Sequence, residues 1–285
     1  MNKRTIAGIR RENQFSPNHV GNDAAIFSLT AGHLRTMGYI VNEYIESDLL
    51  TKNIEEDVIF NMVRSWNALH KLQQFEDGGR LVVNSAYGIE NCTREKMTRL
   101  LLSNNISHPR SLILRTDEDP MPALEKAGFL NCWIKRGDFH AIHREDVTYV
   151  RHLQEAESVL KEYAMRNIET AVVNEHLIGD LVKFYGVAGT NFFYRFYPSD
   201  MQHTKFGLEQ INGTAKGIPF DETQLRMLCN QAAEVLNIHV YGGDCIVSED
   251  GSFRLIDFND WPSFAPCREN AAPFIAECIN RLITG

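Results

Sequence analysis

Apolar positions along the chain alternate between two rhythms. Residues 5–9 read as a short strand, and a polar loop from Arg10 to Gly21 follows. Asn22 or Asp23 can cap a helix to about Met37, with Ala25, Ile26, Leu29 and Leu34 on its inner side and Gly38 as its stop. A strand over 39–44 alternates. Another apolar strand spans 57–62, and Trp66, Leu69 and Leu72 give helical spacing over 65–75. Asp77-Gly78-Gly79 then turns the chain into a strand over 81–84. Strand–helix alternation of this kind predicts a small parallel α/β domain.

The rhythm is less regular further on. A helix is expected over 90–105, a strand over 112–114, and a strand within 128–135 ending at Lys135. A polar loop over 136–143 follows, then an amphipathic helix over 152–165 and a strand over 171–175. Gly179-Asp180 turns into a strand over 181–188, with a further strand over 191–196 and a loop over 208–217. Asp221 is placed to cap a helix to about Leu236, and the last helix covers 269–283 with Pro273 near its first turn. Between these two helices lie short strands over 239–241 and 244–248, a turn at Glu249-Asp250-Gly251-Ser252, and a strand over 253–258. Asp-Gly between apolar runs is a hairpin signal.

The hairpin carries candidate chemistry. Asp257 and Asn259 are two apart, so an extended chain points them to one face, and the hairpin folds Asp244 back towards them. Oxygen ligands of this kind suit a hard cation such as magnesium. Each residue taken singly also fits a turn former or a solvated strand end.

Composition narrows the choices. A chain of 285 residues can bury a sizeable core in two or three subdomains. A net charge of −8 with no basic stripe argues against nucleic acid as a partner. No apolar run approaches a membrane span, and the basic N-terminus lacks the apolar stretch of a signal peptide. The six scattered cysteines form no CxxC pair and fit reduced, buried thiols, so a cytoplasmic protein is expected, with a homodimer left open.

From about Asn84 to Phe264 the chain resembles the ATP-grasp superfamily. The preceding α/β domain fits the three-part layout of glutathione synthetase and D-alanine–D-alanine ligase. AVVNEHLIGDLVKFYGVAG and LIDFNDWPSF are closest to the inositol trisphosphate kinase branch. The resemblance implies an α/β (α+β) ATP-grasp fold with a pre-grasp domain over 1–88, a small subdomain over 89–177 and a large subdomain over 178–285.

It implies ATP and Mg2+ as cofactors, with Mn2+ as a substitute. Lys96 in TREKM and Lys135 in CWIKRGD match the two phosphate lysines. The 136–143 stretch matches the loop over the phosphates, with His140 and His143 as candidate contacts. Val173, Asn174, Glu175 and Leu177 match the adenine hinge, and Asp180 lies in the ribose region. Lys183 and Arg195 match phosphate-facing residues of the kinase branch. Asp244, Asp257 and Asn259 match ligands of magnesium ions that bridge the β- and γ-phosphates. Ser263 departs from the usual glycine of Asn-x-x-Pro-Gly, and Asp257 is shorter than the glutamate of most ligases.

Two chemistries share such a site. A carboxylate–amine or carboxylate–thiol ligase passes through an acylphosphate; a kinase leaves the phosphoryl group on a hydroxyl. The ligase is the first expectation, the kinase the alternative, and a non-catalytic nucleotide sensor a third. The substrate is expected to be a small anion. Its pocket would be drawn from the 10–21 loop, 195–199 and 261–266, with Arg10, Arg11, Lys183 and Arg195 as the basic lining.

Overall fold

The computed structural model describes residues 4–15, 20–138, 144–198 and 211–285. The first layer runs β1 (Thr5–Arg10), α1 (Val20–Thr36), β2 (Ile40–Ile45), α2 (Asp48–Thr51), β3 (Val58–Asn61), α3 (Trp66–Asp77) and β4 (Leu81–Val83). Its strands make a parallel sheet in the order β2-β1-β3-β4. Both faces are covered, as a parallel sheet requires. Ile6, Val58 and Phe60 join one apolar cluster with Ile26 and Phe27, whereas Ala7, Ile9 and Ile59 join another with Leu69 and Leu72. At Gly8 a Cβ would lie 2.5 Å from the Phe60 ring and 2.8 Å from Phe27, so the strand can pass only as glycine.

The helix expected over 90–105 is two helices, α4 (Ala86–Asn91) and α5 (Arg94–Ser103). Thr93 is extended between them (φ −61°, ψ 144°) and starts a fresh helix, a break that the apolar spacing does not reveal. Next come β5 (Ser111–Arg115), α6 (Met121–Ala127), β6 (Cys132–Arg136), β7 (Val147–Val150), α7 (Leu153–Met165) and β8 (Thr170–Glu175). These strands form an antiparallel sheet in the order β5-β8-β6-β7, backed by α6 and α7 through Leu124, Ala156, Leu160 and Tyr163. The elements α2, α6 and β7 were not predicted from the sequence; all are short.

The last sheet contains β9 (Asp180–Val187), β10 (Phe193–Phe196), β11 (Val240–Val247) and β12 (Phe253–Asp260), ordered β10-β9-β11-β12 and antiparallel throughout. α8 (Glu222–Leu236) lies between β10 and β11, and Asp221 caps it by accepting from the Thr223 and Gln224 amides. The two strands expected over 239–241 and 244–248 are one continuous β11, because Gly242 and Gly243 stay in the ladder. One face of the sheet packs on α8 and α5 through Phe184, Tyr241, Phe258, Leu225, Met97 and Leu101. α9 (Arg268–Thr284) returns to the first layer, where Ile275 and Ile279 join the cluster of Ile26, Phe60 and Trp261. Among the described residues all six cysteines are free and buried, and no helix is long and apolar enough to cross a membrane.

Candidate active site

The site begins as one row across three strands. Lys183 on β9 stands opposite Asp244 on β11, and Asp244 stands opposite Asp257 on β12. Directly paired residues share a face, and this face is the one turned away from α8. Lys183 Nζ donates to both carboxylate oxygens of Asp244 at 3.1 Å. Asn259 is two residues beyond Asp257 on the same strand, as the sequence pattern predicts.

A β-bulge sets this arrangement. Cys245 pairs with Leu255 but Asp244 with Asp257, so Ile256 is an extra residue on β12. Leu255 and Phe258, three apart, therefore both face the α8 cluster, and Asp257 with Asn259 takes the open face. In an unbroken ladder Asp257 would pair with Gly243 and point into that cluster.

Three further polar groups converge on the bulge. Lys135, at the end of β6 and only 7% exposed, donates from Nζ to the Ile256 carbonyl at 3.0 Å. Burial lowers its pKa to about 7, nearby Arg94 acts in the same direction, and Asp257 and Asp244 partly oppose them. His108 Nδ1 bonds the Leu255 carbonyl at 2.6 Å, and burial together with Lys135 lowers that imidazole to about 4. Arg94, the first residue of α5, places Nη2 3.7 Å from Asp257 Oδ2 while its own Nε is buried without a hydrogen-bond partner.

Other expected residues are committed elsewhere. Lys96 pairs with Glu90, on the exposed side of α5. Arg195 pairs with Phe184 in the ladder and so lies on the α8 face, donating to Glu222 at 3.0 Å and opposite in direction to Lys183. The Asp180 carboxylate accepts from the Lys216 and Ile218 amides at 2.7 and 2.8 Å and so closes a loop. Arg10 pairs with Glu43. Arg11 is buried and holds Asp23 (2.9 Å), the Met62 carbonyl (3.1 Å) and the Trp261 carbonyl (3.2 Å). His19, His140, His143 and Ser199 lie outside the described residues.

Along the expected hinge, Val173 and Asn174 are inside the ladder between β5 and β6, and the Asn174 amide donates to Ser111 Oγ at 2.7 Å. Glu175 holds Arg110 and Arg254. Leu177 lies past the strand end, its carbonyl taking the Asn212 side chain at 3.1 Å. Beside them stands an aromatic wall missed by the sequence reading. Trp133 donates from its indole to His176 Nδ1 at 3.1 Å, and Tyr149 lies against both rings at centroid distances of 5.1 and 4.9 Å. Its signal was present in the sequence: Trp133 is two residues before Lys135, hence on the same strand face.

The oxygen donors fit a hard divalent cation. Asp244 and Asp257 face each other in register, Asn259 shares their side, and Lys183 and Arg94 already hold positive charge against the two carboxylates. Among the described residues no cluster of three or more His, Cys, Asp or Glu could hold a metal alone. An ion here would draw on Asn259 and on oxygens brought by a ligand.

Neither a protein-family model nor a curated relative matches the sequence. Solved structures do match in fold. D-alanyl-alanine synthetase A from Vibrio cholerae superposes with a TM-score of 0.72 at 11% identity, covering 100% of both chains. D-alanine–D-alanine ligase from Bacillus anthracis, complexed with ATP, gives 0.71 at 14% identity over 98% of this chain and 96% of that one. The ATP-grasp ligase PsnB, complexed with a minimal precursor, gives 0.63 at 15% identity over 98% and 99%. At these identities the likeness is one of fold, and it runs through all three layers.

Proposed function

We propose that this chain, which has the ATP-grasp fold, is an ATP- and magnesium-dependent ligase that joins a small carboxylate to an amine or thiol through an acylphosphate. The observation that carries the reading is the row Lys183–Asp244–Asp257 with Asn259 on one open sheet face, reached by Lys135 and Arg94. The neighbouring structures include dipeptide ligases and one with ATP bound, which supports ligase chemistry in this fold.

Each residue has a physical task. Asp244, Asp257 and Asn259 would hold magnesium, which supplies charge neutralisation on the phosphates. Lys135 would leave the Ile256 carbonyl and place its ammonium on a phosphate, while Arg94 gives a planar guanidinium to the same charge. The Trp133–Tyr149–His176 cluster, its rings tilted against one another, would offer a ring face to the adenine. Lys183, held by Asp244, would steady charge on the phosphoryl group in transfer. Phosphoryl transfer asks chiefly for such positioning and neutralisation.

One observation favours the kinase alternative. At Gly242 a Cβ would meet the Tyr185 ring at 2.7 Å and Pro262 at 2.8 Å, so no cationic side chain can grow from that strand position to stabilise an acylphosphate. Positive charge on this face then comes from Lys183, with Lys135 and Arg94 reaching it from neighbouring elements, for either chemistry.

The readings separate by product. With ATP, magnesium and pooled carboxylic acids, a ligase releases ADP and phosphate, and hydroxylamine traps an acyl hydroxamate. Transfer of the γ-phosphate to a polyol with no free phosphate selects the kinase. Binding itself is tested by melting: magnesium and ATP raise the melting temperature of the native chain, and Asp257→Ala removes most of that rise. No shift at millimolar ATP would sink both catalytic readings.

A further inference from the structure

The outer edge of β12 is not left to solvent. The Leu255 amide donates to the Ser107 carbonyl at 2.9 Å, and Ser107 Oγ donates to the Phe253 carbonyl at 2.7 Å. His108 takes the Leu255 carbonyl at 2.6 Å and Lys135 the Ile256 carbonyl at 3.0 Å. A short segment between α5 and β5 thus zips the edge as far as the bulge, and the bulge decides which face Asp257 occupies.

The two bonds at the bulge differ in permanence. Lys135 is the residue expected to turn to a phosphate when nucleotide arrives, which would free the Ile256 carbonyl. His108 has no such second task. A carbonyl can only accept, so His108 must carry its proton on Nδ1, and its Nε2 is buried without a partner. The imidazole is only 8% exposed and cannot swing to water without leaving the edge.

We infer that His108 is a positioning residue for the metal site: its Nδ1–H bond to Leu255 locks the β12 bulge and keeps Asp257 and Asn259 on the open face while Lys135 serves the nucleotide. The inference rests on the reading of Asp257 and Asn259 as magnesium ligands. Partners outside the ligand set commonly change metal affinity by about tenfold to a hundredfold.

The test compares His108→Leu, which removes the donor, with His108→Asn, whose amide can return one to the Leu255 carbonyl. Two readouts are taken. The first is the magnesium concentration giving half of the ATP-dependent melting shift. The second is amide hydrogen exchange over Leu255–Asn259 in the protein without nucleotide or metal. His108→Leu is expected to raise the half-saturating magnesium about tenfold and to speed exchange across the bulge, and His108→Asn to restore most of both. A His108→Leu protein that melts lower but keeps the native magnesium requirement overturns the lock and makes His108 merely structural. So does an Asn variant no better than Leu. Where His108→Leu does not fold, His108→Phe keeps a ring without the donor and repeats the comparison. A native chain with no magnesium-dependent shift would instead remove the metal reading itself, which separates the two failures.

Discussion

At the scale of single residues, two titrating groups beside the bulge give pH signatures of one sign in two separate windows. Lys135 has an ordinary value of 10.5 and a folded value of about 7. Between those limits the unfolded chain holds a proton that the folded chain has released, so this residue makes stability rise with pH across that window. Phosphates favour the ammonium, so ATP binding at pH 8 should take up a proton. Calorimetric titration in buffers of different ionisation heat measures this, and Lys135→Met should abolish the uptake; a buffer-independent heat for the native chain would refute it. His108 drops from 6.5 to about 4. Here the unfolded chain gains a proton first as pH falls, so stability is lost from about 6.5 down to about 4. Urea midpoints at pH 7 and pH 5 should show the loss, smaller in His108→Asn. Lys135 and Lys183 were named only from the family resemblance, whereas the meeting of Asp244, Asp257 and Asn259 was legible because strand alternation and a hairpin are local. Arg94 was not. A reading that seeks a lysine passes over the arginine to Lys96, two residues on and so roughly 200° around the helix.

Elements were legible where period and cap coincide. α8 is the clearest case: Asp221 accepts from two first-turn amides, Leu225, Cys229, Ala232 and Leu236 line the buried side, and Asn237 closes the helix in the left-handed conformation (φ 58°). Asp221→Ala should lower global stability by about 1 kcal/mol, read as a shifted urea midpoint with unchanged slope. An unaltered midpoint would mean that packing alone holds that end. Elements were illegible where a neighbour decides. The side of β10 on which Arg195 falls depends on pairing with Phe184, a contact made through β9 register rather than sequence spacing. The bulge at Ile256 likewise exists only in the β11–β12 ladder. Sequence pattern placed Asp257 and Asn259 together correctly, yet it contained no reason for them to face away from Leu255.

Across the whole molecule, the first layer fastens the end of β12. Arg64, just past β3, pairs with the fully buried Asp260 and donates to its carbonyl at 3.1 Å, one residue beyond Asn259. Arg11 reaches the next carbonyl, that of Trp261, whose ring stacks on Phe60 at 6.1 Å. A local reading makes Arg11 a substrate contact; the fold makes it a strut. Arg64→Met should therefore act in two places. It takes one guanidinium from the buried Asp260 carboxylate, with Arg11 remaining beside it, so urea unfolding should show a loss of stability. It also loosens the backbone that aims Asn259, so the half-saturating magnesium for ATP binding should rise. Adding Asp260→Leu removes the buried carboxylate as well and should recover stability, since an apolar pair can replace a buried ion pair without net cost. If the anchor matters for aim as well as for charge, the double variant regains stability while its magnesium requirement stays high. Recovery of both together would show that the Arg64 contact does no more than neutralise Asp260, and that Asn259 is aimed from within its own sheet.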